Sequence, residues 1–512
     1  MFQRRAVAGV ALSVVLVLTA SACGSGSSSS ESSGPSSSTL TLGVALPATT
    51  FVAADMNFGG ESLYGQAVYD TLLKADPDGT IVPSLATEWT YNDTKTVLDL
   101  TLRSDVTFTD GTEFNADAAA QNLKRFQAGN AQNKSFLAEM ADAKAVDDTH
   151  LQITLKQSDP AFLNSLTQAP GYQASPAAFD KPDAKTNPVG SGPYILDTSS
   201  TVIGSSYTFN KNPNYWDEAS QHYERLVLRV LTDPTAMLNA IQGEQINGAL
   251  LPNNDSLEQV ENSGYTLNPF ELNWYGVLLL DRAGTLNPAL GDVRVRQAIN
   301  YAFDTQALLQ GVGKGYGTLT TQIFPPRSPG YDAALDSKYA YNPTKAKELL
   351  AEAGYPDGFT LEMPSNASAG ATVFPLIAQQ LKDIGITVNF TDAGTNFLSD
   401  VTGAKYPATR LQLQQDPTDW QIIQFQIAPT ATWNPFHYTD PRVDELIAEY
   451  HDAQTDADSD AAIKELNAYL VDQAWFAPWY RNQLHYATDA NTEVQTQVGS
   501  ALPYLWNITP KG

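Results

Sequence analysis

The chain has 512 residues, with 30 Lys and Arg against 56 Asp and Glu for a formal charge of −26, and a single cysteine, Cys23. So acidic a chain repels nucleic acid and anionic membrane surfaces, and one cysteine excludes intramolecular disulfides and zinc sites built on cysteine pairs. The length exceeds what one hydrophobic core supports, so two or three domains are expected.

The first residues, "MFQRR", supply positive charge ahead of an apolar run from Ala6 to Ala20. That order reads as an export signal, and the run is shorter than the roughly 20 residues that a membrane-spanning helix needs. Small residues, Ala20, Ser21 and Ala22, stand directly before Cys23. This arrangement resembles the lipobox of bacterial lipoproteins, in which the cysteine becomes the lipidated first residue of the mature chain; the alternative is plain secretion with an incidental thiol. Ala20 departs from the leucine usual three places before the cysteine. Residues 24–38 are almost entirely Ser and Gly, a composition that cannot offset the entropy of ordering, and read as a tether. The expectation is thus a signal peptide over 1–22 and a tether over 23–38, with a soluble body held to the membrane through lipid on Cys23.

From Thr39 strands and helices alternate. "VLDLTLR" (97–103) sets Leu98, Leu100 and Leu102 against polar neighbours, a half-buried strand of period two, and "LQITL" (151–155) repeats it. "VRQAINYAFDTQALL" (295–309) places Val295, Ala298, Ile299, Ala302 and Phe303 on one helical face. In "YNPTKAKELLAEAGYPDG" (341–358), Asn342 caps a helix, Pro343 suits its first turn and Gly354 stops it. "LIAQQLKDIGITVNF" (376–390) reads as helix, glycine stop and strand, and "TDPRVDELIAEY" (439–450) starts a helix capped by Asp440. The fold class is mixed α/β.

Catalytic signatures are lacking. The histidines, His150, His222, His437, His451 and His485, fall in no HExxH or paired metal spacing, and no G-x-S-x-G elbow occurs. "DADSD" (456–460) has Ala461 where a calcium loop needs glycine, so its acids suit a helix N-terminus better. Acid pairs such as Asp416 and Asp419 arise by chance in so acidic a chain. No cofactor is called for, and an exported hydrolase is a poor third reading. Eight Trp and 23 Tyr point instead to a packed core or a cleft that stacks on a solute.

Several separated stretches together resemble the extracytoplasmic solute-binding proteins of ABC importers, in the oligopeptide/dipeptide-binding (family 5) class. They include "VYDTLLKADPDGTIVPSLATEW" (68–89), "NPVGSGPYIL" (187–196), "NKNPNYWD" (210–217), "DVRVRQAINYAFD" (292–304) and "DPRVDELI" (440–447). The resemblance implies a two-lobed periplasmic-binding-protein-like fold with mixed sheets and a hinge. It implies a domain I from 39–70, 185–272 and 480–512, a domain II over 71–184 and a domain III over 273–479. It further implies a monomer that captures a peptide or similar polar solute between its lobes and delivers it to permease subunits driven by cytoplasmic ATPases, in the extracytoplasmic space. Peptide-binding members carry an aspartate for the peptide α-ammonium on the loop after a strand ending in Gly-Trp. The comparable stretch reads as "DWQIIQFQIAPTATWNPF" (419–436), with Ile427 and Ala428 where the aspartate would fall, which argues against an ammonium anchor of the usual kind. A non-peptide solute such as a glycoside, an opine-like compound or a metal chelate is the alternative. Gln424 and Gln426, facing one way on a strand, and Trp433 and Asn434 after it are candidate ligand residues. Tyr64 near the end of the first strand, Trp274 and Tyr275 at one lobe crossing, and Trp479 at the return crossing complete the set.

Overall fold

The computed structural model describes residues 38–366 and 372–512. The signal segment, Cys23 and the serine-rich tether lie outside the described residues.

Two long antiparallel strands, Thr266–Leu279 and Phe476–Thr488, organise the molecule. They pair from Thr266 opposite Thr488 to Leu278 opposite Phe476, with irregularities at Glu271/Asn273 and at Tyr275/Gly276. Among the described residues they belong to a nine-stranded mixed sheet. At one end Ala408–Gln414 adds to the outer side of Thr266–Leu279. At the other, Gly248–Leu250 joins Phe476–Thr488 to the parallel pair Thr39–Val44 and Arg225–Val230, and the sheet continues through Ser206–Lys211 to Tyr194–Leu196. The long strands therefore run through two lobes, each with its own core.

In the lobe holding the N-terminal strand, Leu40, Leu42, Phe209, Leu226 and Leu228 pack in one core with Leu98, Leu100, Leu151 and Ile153. The last four come from a four-stranded antiparallel sheet in the order Ala86–Tyr91, Val97–Leu102, His150–Leu155, Met140–Ala145. The period-two pattern read at 97–103 and 151–155 is thus realised. "NPNYW" closes this lobe around a buried carboxylate: Tyr215 and the Trp216 indole donate to Asp70 at 2.8 and 3.0 Å, and the Ser191 hydroxyl donates at 2.9 Å. Burial pushes the Asp70 carboxyl above its usual range, while Lys74 and these three donors oppose the shift. Gly192 makes the approach possible, since a Cβ there would fall 2.5 Å from the Val68 carbonyl carbon.

In the other lobe, alternation along the long strand feeds two cores. Val277 and Leu279 face Ile299, Leu350, Leu361, Ile377 and Trp479, whereas Trp274 and Leu278 face Phe324, Ile422, Leu466 and Trp475. The helix expected over 341–358 is Pro343–Glu352, with Asn342 accepting from the Lys345 amide, and Asp440 caps Pro441–Asp452 in the same way. The helix read continuously over 295–309 is instead two, Val293–Ala302 and Thr305–Gly311. Phe303 is extended and Asp304 accepts from the Ala307 amide, so a capping residue inside the apolar pattern restarts the helix.

Candidate functional site

A cavity of about 190 Å3 lies where the two lobes face each other. From the N-terminal lobe it takes Asn57, Phe58, Gln132, Asn133, Phe136 and Gln168; from the other, Gln414, Asp416, Pro417 and Gln421; and from the C-terminal segment, Gly499, Ser500 and Ala501. The strand Ala408–Gln414 delivers Gln414 to its rim, and the following loop carries Asp416. Gln414 Nε2 donates to the Asp416 carboxylate at 3.2 Å and to the Gly499 carbonyl at 3.0 Å. Arg327 Nη2 donates to the Gln415 and Asp416 carbonyls, both at 2.6 Å. Burial pushes the Asp416 carboxyl up to about 7, against the pull of Arg327 and the hydrogen bond from Gln414.

The rest of the lining is amide and aromatic. Gln421 Oε1 accepts from Asn164 of the opposite lobe at 3.3 Å. Its Nε2, and the Oδ1 of Asn133, are buried without a hydrogen-bond partner. Both belong to residues that line the cavity, together with a carboxylate, Asp416, and the aromatic residues Phe58 and Phe136. Phe136 also meets Phe425 edge-on across the lobes, with ring centroids 5.7 Å apart.

None of the ligand residues expected from the sequence lines this cavity. The segment read as a strand bearing Gln424 and Gln426 is helical: Asp419–Ile422 is an α-turn that widens into a π-turn over Ile423–Ile427. The two glutamines therefore do not share a strand face. Gln426 is buried, accepting from the Trp274 indole at 3.0 Å and donating to the Gln414 carbonyl at 2.8 Å, so it supports the rim from behind. Gln424 is half-buried on the π-turn. Trp274 is itself core, as is Trp479, which packs on Phe303 at 5.1 Å. Tyr275 stacks on Tyr480 at 5.4 Å beneath the Arg410 guanidinium. Tyr64 is fully buried, its hydroxyl donating to the Leu46 carbonyl and its ring against Tyr207. Asn434, also fully buried, donates to the Ile427, Ala428 and Tyr438 carbonyls and accepts from Arg282. Trp433 is half-buried against the second core of its lobe. Large aromatic residues at lobe crossings are consumed by packing, because two strands that pass through both cores offer little surface to solvent.

The residues that do line it include Asp416, Gln421, Asn133, Gln168 and the two phenylalanines, none of which the sequence reading named as a ligand residue. Asp416 had a visible signal: "RLQLQ" alternates as a strand ending at Gln414, and the aspartate stands two residues later. The loop 415–418 directly follows a strand, Ala408–Gln414, whereas the segment around Ile427 is helical.

A sequence model of the bacterial extracellular solute-binding proteins, family 5 (middle region) matches residues 80–434. The chain belongs to this family. A glutathione-binding protein, GsiB of Salmonella typhi, is 31% identical over 441 residues, covering 81% of each chain. Among solved structures, this family 5 protein superposes on the ABC transporter-associated periplasmic binding protein DppA of Helicobacter pylori, in complex with the peptide STSA, with a TM-score of 0.76 at 19% identity, covering 93% of this chain and 98% of that one. It superposes on NikA of Brucella suis, in complex with Fe(III)-EDTA, with a TM-score of 0.81 at 20% identity, covering 92% and 100%. These likenesses establish the two-lobed binding-protein fold, and the relatives are binding proteins rather than enzymes.

Proposed function

We propose that this family 5 protein is a lipid-anchored receptor that captures a peptide or a similarly sized polar solute in the interlobe cavity and delivers it to the permease of an ABC importer. The observation that carries the reading is Asp416. It stands on the loop after a sheet-edge strand, where peptide-binding members of the resembled family hold the ammonium group, inside a cavity that both lobes complete. A carboxylate at Asp416 favours a peptide over a non-peptide solute. Closure about the long strands would enclose the solute, and the proposed domain boundaries near 272 and 480 fall within those strands. Lipid on Cys23 would keep the receptor near its permease.

A thermal-shift screen of the protein against di- to pentapeptides, sugars, opines and metal chelates tests the ligand. A solute at 100 times its dissociation constant stabilises the folded state by about 2.7 kcal/mol, which moves the melting temperature visibly. Stabilisation by peptides is expected; a response confined to sugars, opines or chelates overturns it. Replacing Cys23 by Ser should move the expressed protein from the membrane fraction to the soluble one, and unchanged fractionation overturns the lipid anchor.

A further inference from the structure

We propose that His451 is a pH-dependent latch between the lobes: it holds them together when its ring is an imidazolium and releases them when the ring is neutral. The inference concerns closure of the lobes and not the identity of the solute. His451 lies on the helix Pro441–Asp452 of one lobe, and its Nε2 is 2.8 Å from the Ser158 carbonyl oxygen of the other. Its Nδ1 is 2.7 Å from the Asp452 carboxylate. Both neighbours are acceptors, and a neutral imidazole carries only one N–H. With that proton on Nδ1, the Ser158 carbonyl faces a lone pair; with it on Nε2, the Asp452 carboxylate does. Only the imidazolium satisfies both while the lobes are together. The Ser158 hydroxyl, 3.2 Å from Nε2, can donate to a bare nitrogen, but the carbonyl is nearer and still faces the lone pair. Trp420 packs on the ring from its own lobe, 5.0 Å between centroids, and holds it in this orientation. Only 15% of the His451 side chain is exposed, so water is a poor substitute for the missing donor.

Parting the lobes removes the conflict. Asp452 shares a helix with His451 and keeps its bond to Nδ1, while Nε2 of the neutral ring turns to water. Separation thus costs the neutral ring nothing and costs the imidazolium a charge-assisted hydrogen bond. The other groups around the ring do not repel a cation. Beside Ser158 stands Asp159, whose carboxyl burial pushes up to about 6, with Glu139 acting on it from the same lobe. His451 and Asp159 line a second cavity between the lobes, to which Tyr91, Lys95, Tyr450 and Asp456 also contribute. Asp419 adjoins Trp420. The acids outnumber the one ammonium, Lys95, which is exposed. Histidine changes charge between about pH 5 and 8. The closed arrangement holds the additional proton, so its population falls as pH rises through that range.

Val146 and Leu398 are exposed and lie on opposite lobes. Spin labels on Val146→Cys and Leu398→Cys, in the full-length chain with Cys23→Ser, report lobe separation by double electron–electron resonance. The measurement is made without ligand, in the latch-intact protein and in His451→Gln, whose amide donates to the Ser158 carbonyl at every pH. The closed-to-open ratio of the first, divided by that of the second, is expected to fall at least about threefold from about pH 5.5 to pH 8. Taking the quotient removes Asp416, which titrates in the other cavity of both proteins. A quotient constant with pH overturns the latch. Asp159→Asn is expected to keep the fall; its loss there assigns the response to the carboxylate and overturns the role of His451. A single distance at every pH, with no open population, also overturns the latch, and leaves the thermal-shift response to peptides as the separate judge of the receptor reading.

Discussion

Arg327 holds Asp416 by its backbone: the guanidinium donates to the Asp416 carbonyl at 2.6 Å, and the carboxylate receives its hydrogen bond from Gln414 instead. The loop is fixed by a cation bonded to its backbone carbonyls, whose charge opposes without cancelling the effect of burial on the carboxyl. Its position, up to about 7, is the consequence of burial outweighing Arg327.

That position sets two opposed pH trends. An acid held above its ordinary value near 4 binds its proton more tightly in the folded than in the unfolded chain, so its stabilising contribution is full below about pH 4 and is lost as pH rises through about 7. Asp159 and Asp419, each pushed by burial up to about 6, act with the same sign. The unliganded melting temperature should therefore fall between about pH 5 and pH 8, and Asp416→Asn should flatten the upper part of the curve. Affinity for a peptide ammonium should rise over about pH 5.5 to 7.5, with proton release on binding. Calorimetry in buffers of different ionisation enthalpy reads the proton, and affinity that is flat with pH would remove Asp416 from the contact.

The close approach of Gly499 to Pro417 fixes the same loop from the other side. Gly499 has φ of +67°, and a Cβ there would stand 2.6 Å from Pro417 Cγ. Gly499→Ala should cost about 1–2 kcal/mol from the left-handed backbone and the clash together, and weaken peptide binding several-fold as the Asp416 loop is displaced. Equilibrium unfolding and titration calorimetry on the variant check both parts.

The helices at 343–352 and 441–452 were legible because cap, first-turn proline and apolar stripe all lie within one local stretch. The helix at 419–427 was not, because "QIIQFQI" alternates polar and apolar residues as a strand does. Its true signal was shorter: Thr418 and Gln421 form a capping box, with the Gln421 amide donating to Thr418 Oγ1 at 3.2 Å. Reading the stretch as a strand placed Gln424 and Gln426 on one face, which the helical geometry does not allow. The cavity itself draws Asn57, Asn133, Gln168, Gln421 and Ser500 from segments far apart in the chain, a juxtaposition that no local pattern encodes.

Asn434 separates a packing role from a binding role. Its side chain satisfies three carbonyls and accepts from Arg282 and from the Tyr438 amide, at full burial. Asn434→Ala leaves those groups without partners and should destabilise the fold by about 2–4 kcal/mol with ligand affinity retained in the folded fraction. Trp433→Ala should likewise leave affinity unchanged, since the ring packs on the core and not on the cavity. Denaturant midpoints and affinities measured together test this, and a loss of affinity in Trp433→Ala would restore that residue to the site.

A second point of contact between the lobes lies away from the cavity. His451 Nε2 donates to the Ser158 carbonyl at 2.8 Å, while its ring rests on Trp420, 5.0 Å between centroids. The hydrogen bond joins the two lobes at residues that line a separate cavity and not the one holding Asp416, so it should favour the arrangement in which the lobes are together. Removing it with His451→Ala forfeits the net worth of one hydrogen bond, about 0.5–1.5 kcal/mol, so peptide affinity should fall by about two- to tenfold. The loss should appear in the dissociation rate, because the ligand-contacting groups are intact and only the closed state has been weakened. Stopped-flow measurement of both rate constants distinguishes the cases: a slower association with unchanged dissociation would show that this contact does not hold the cleft shut.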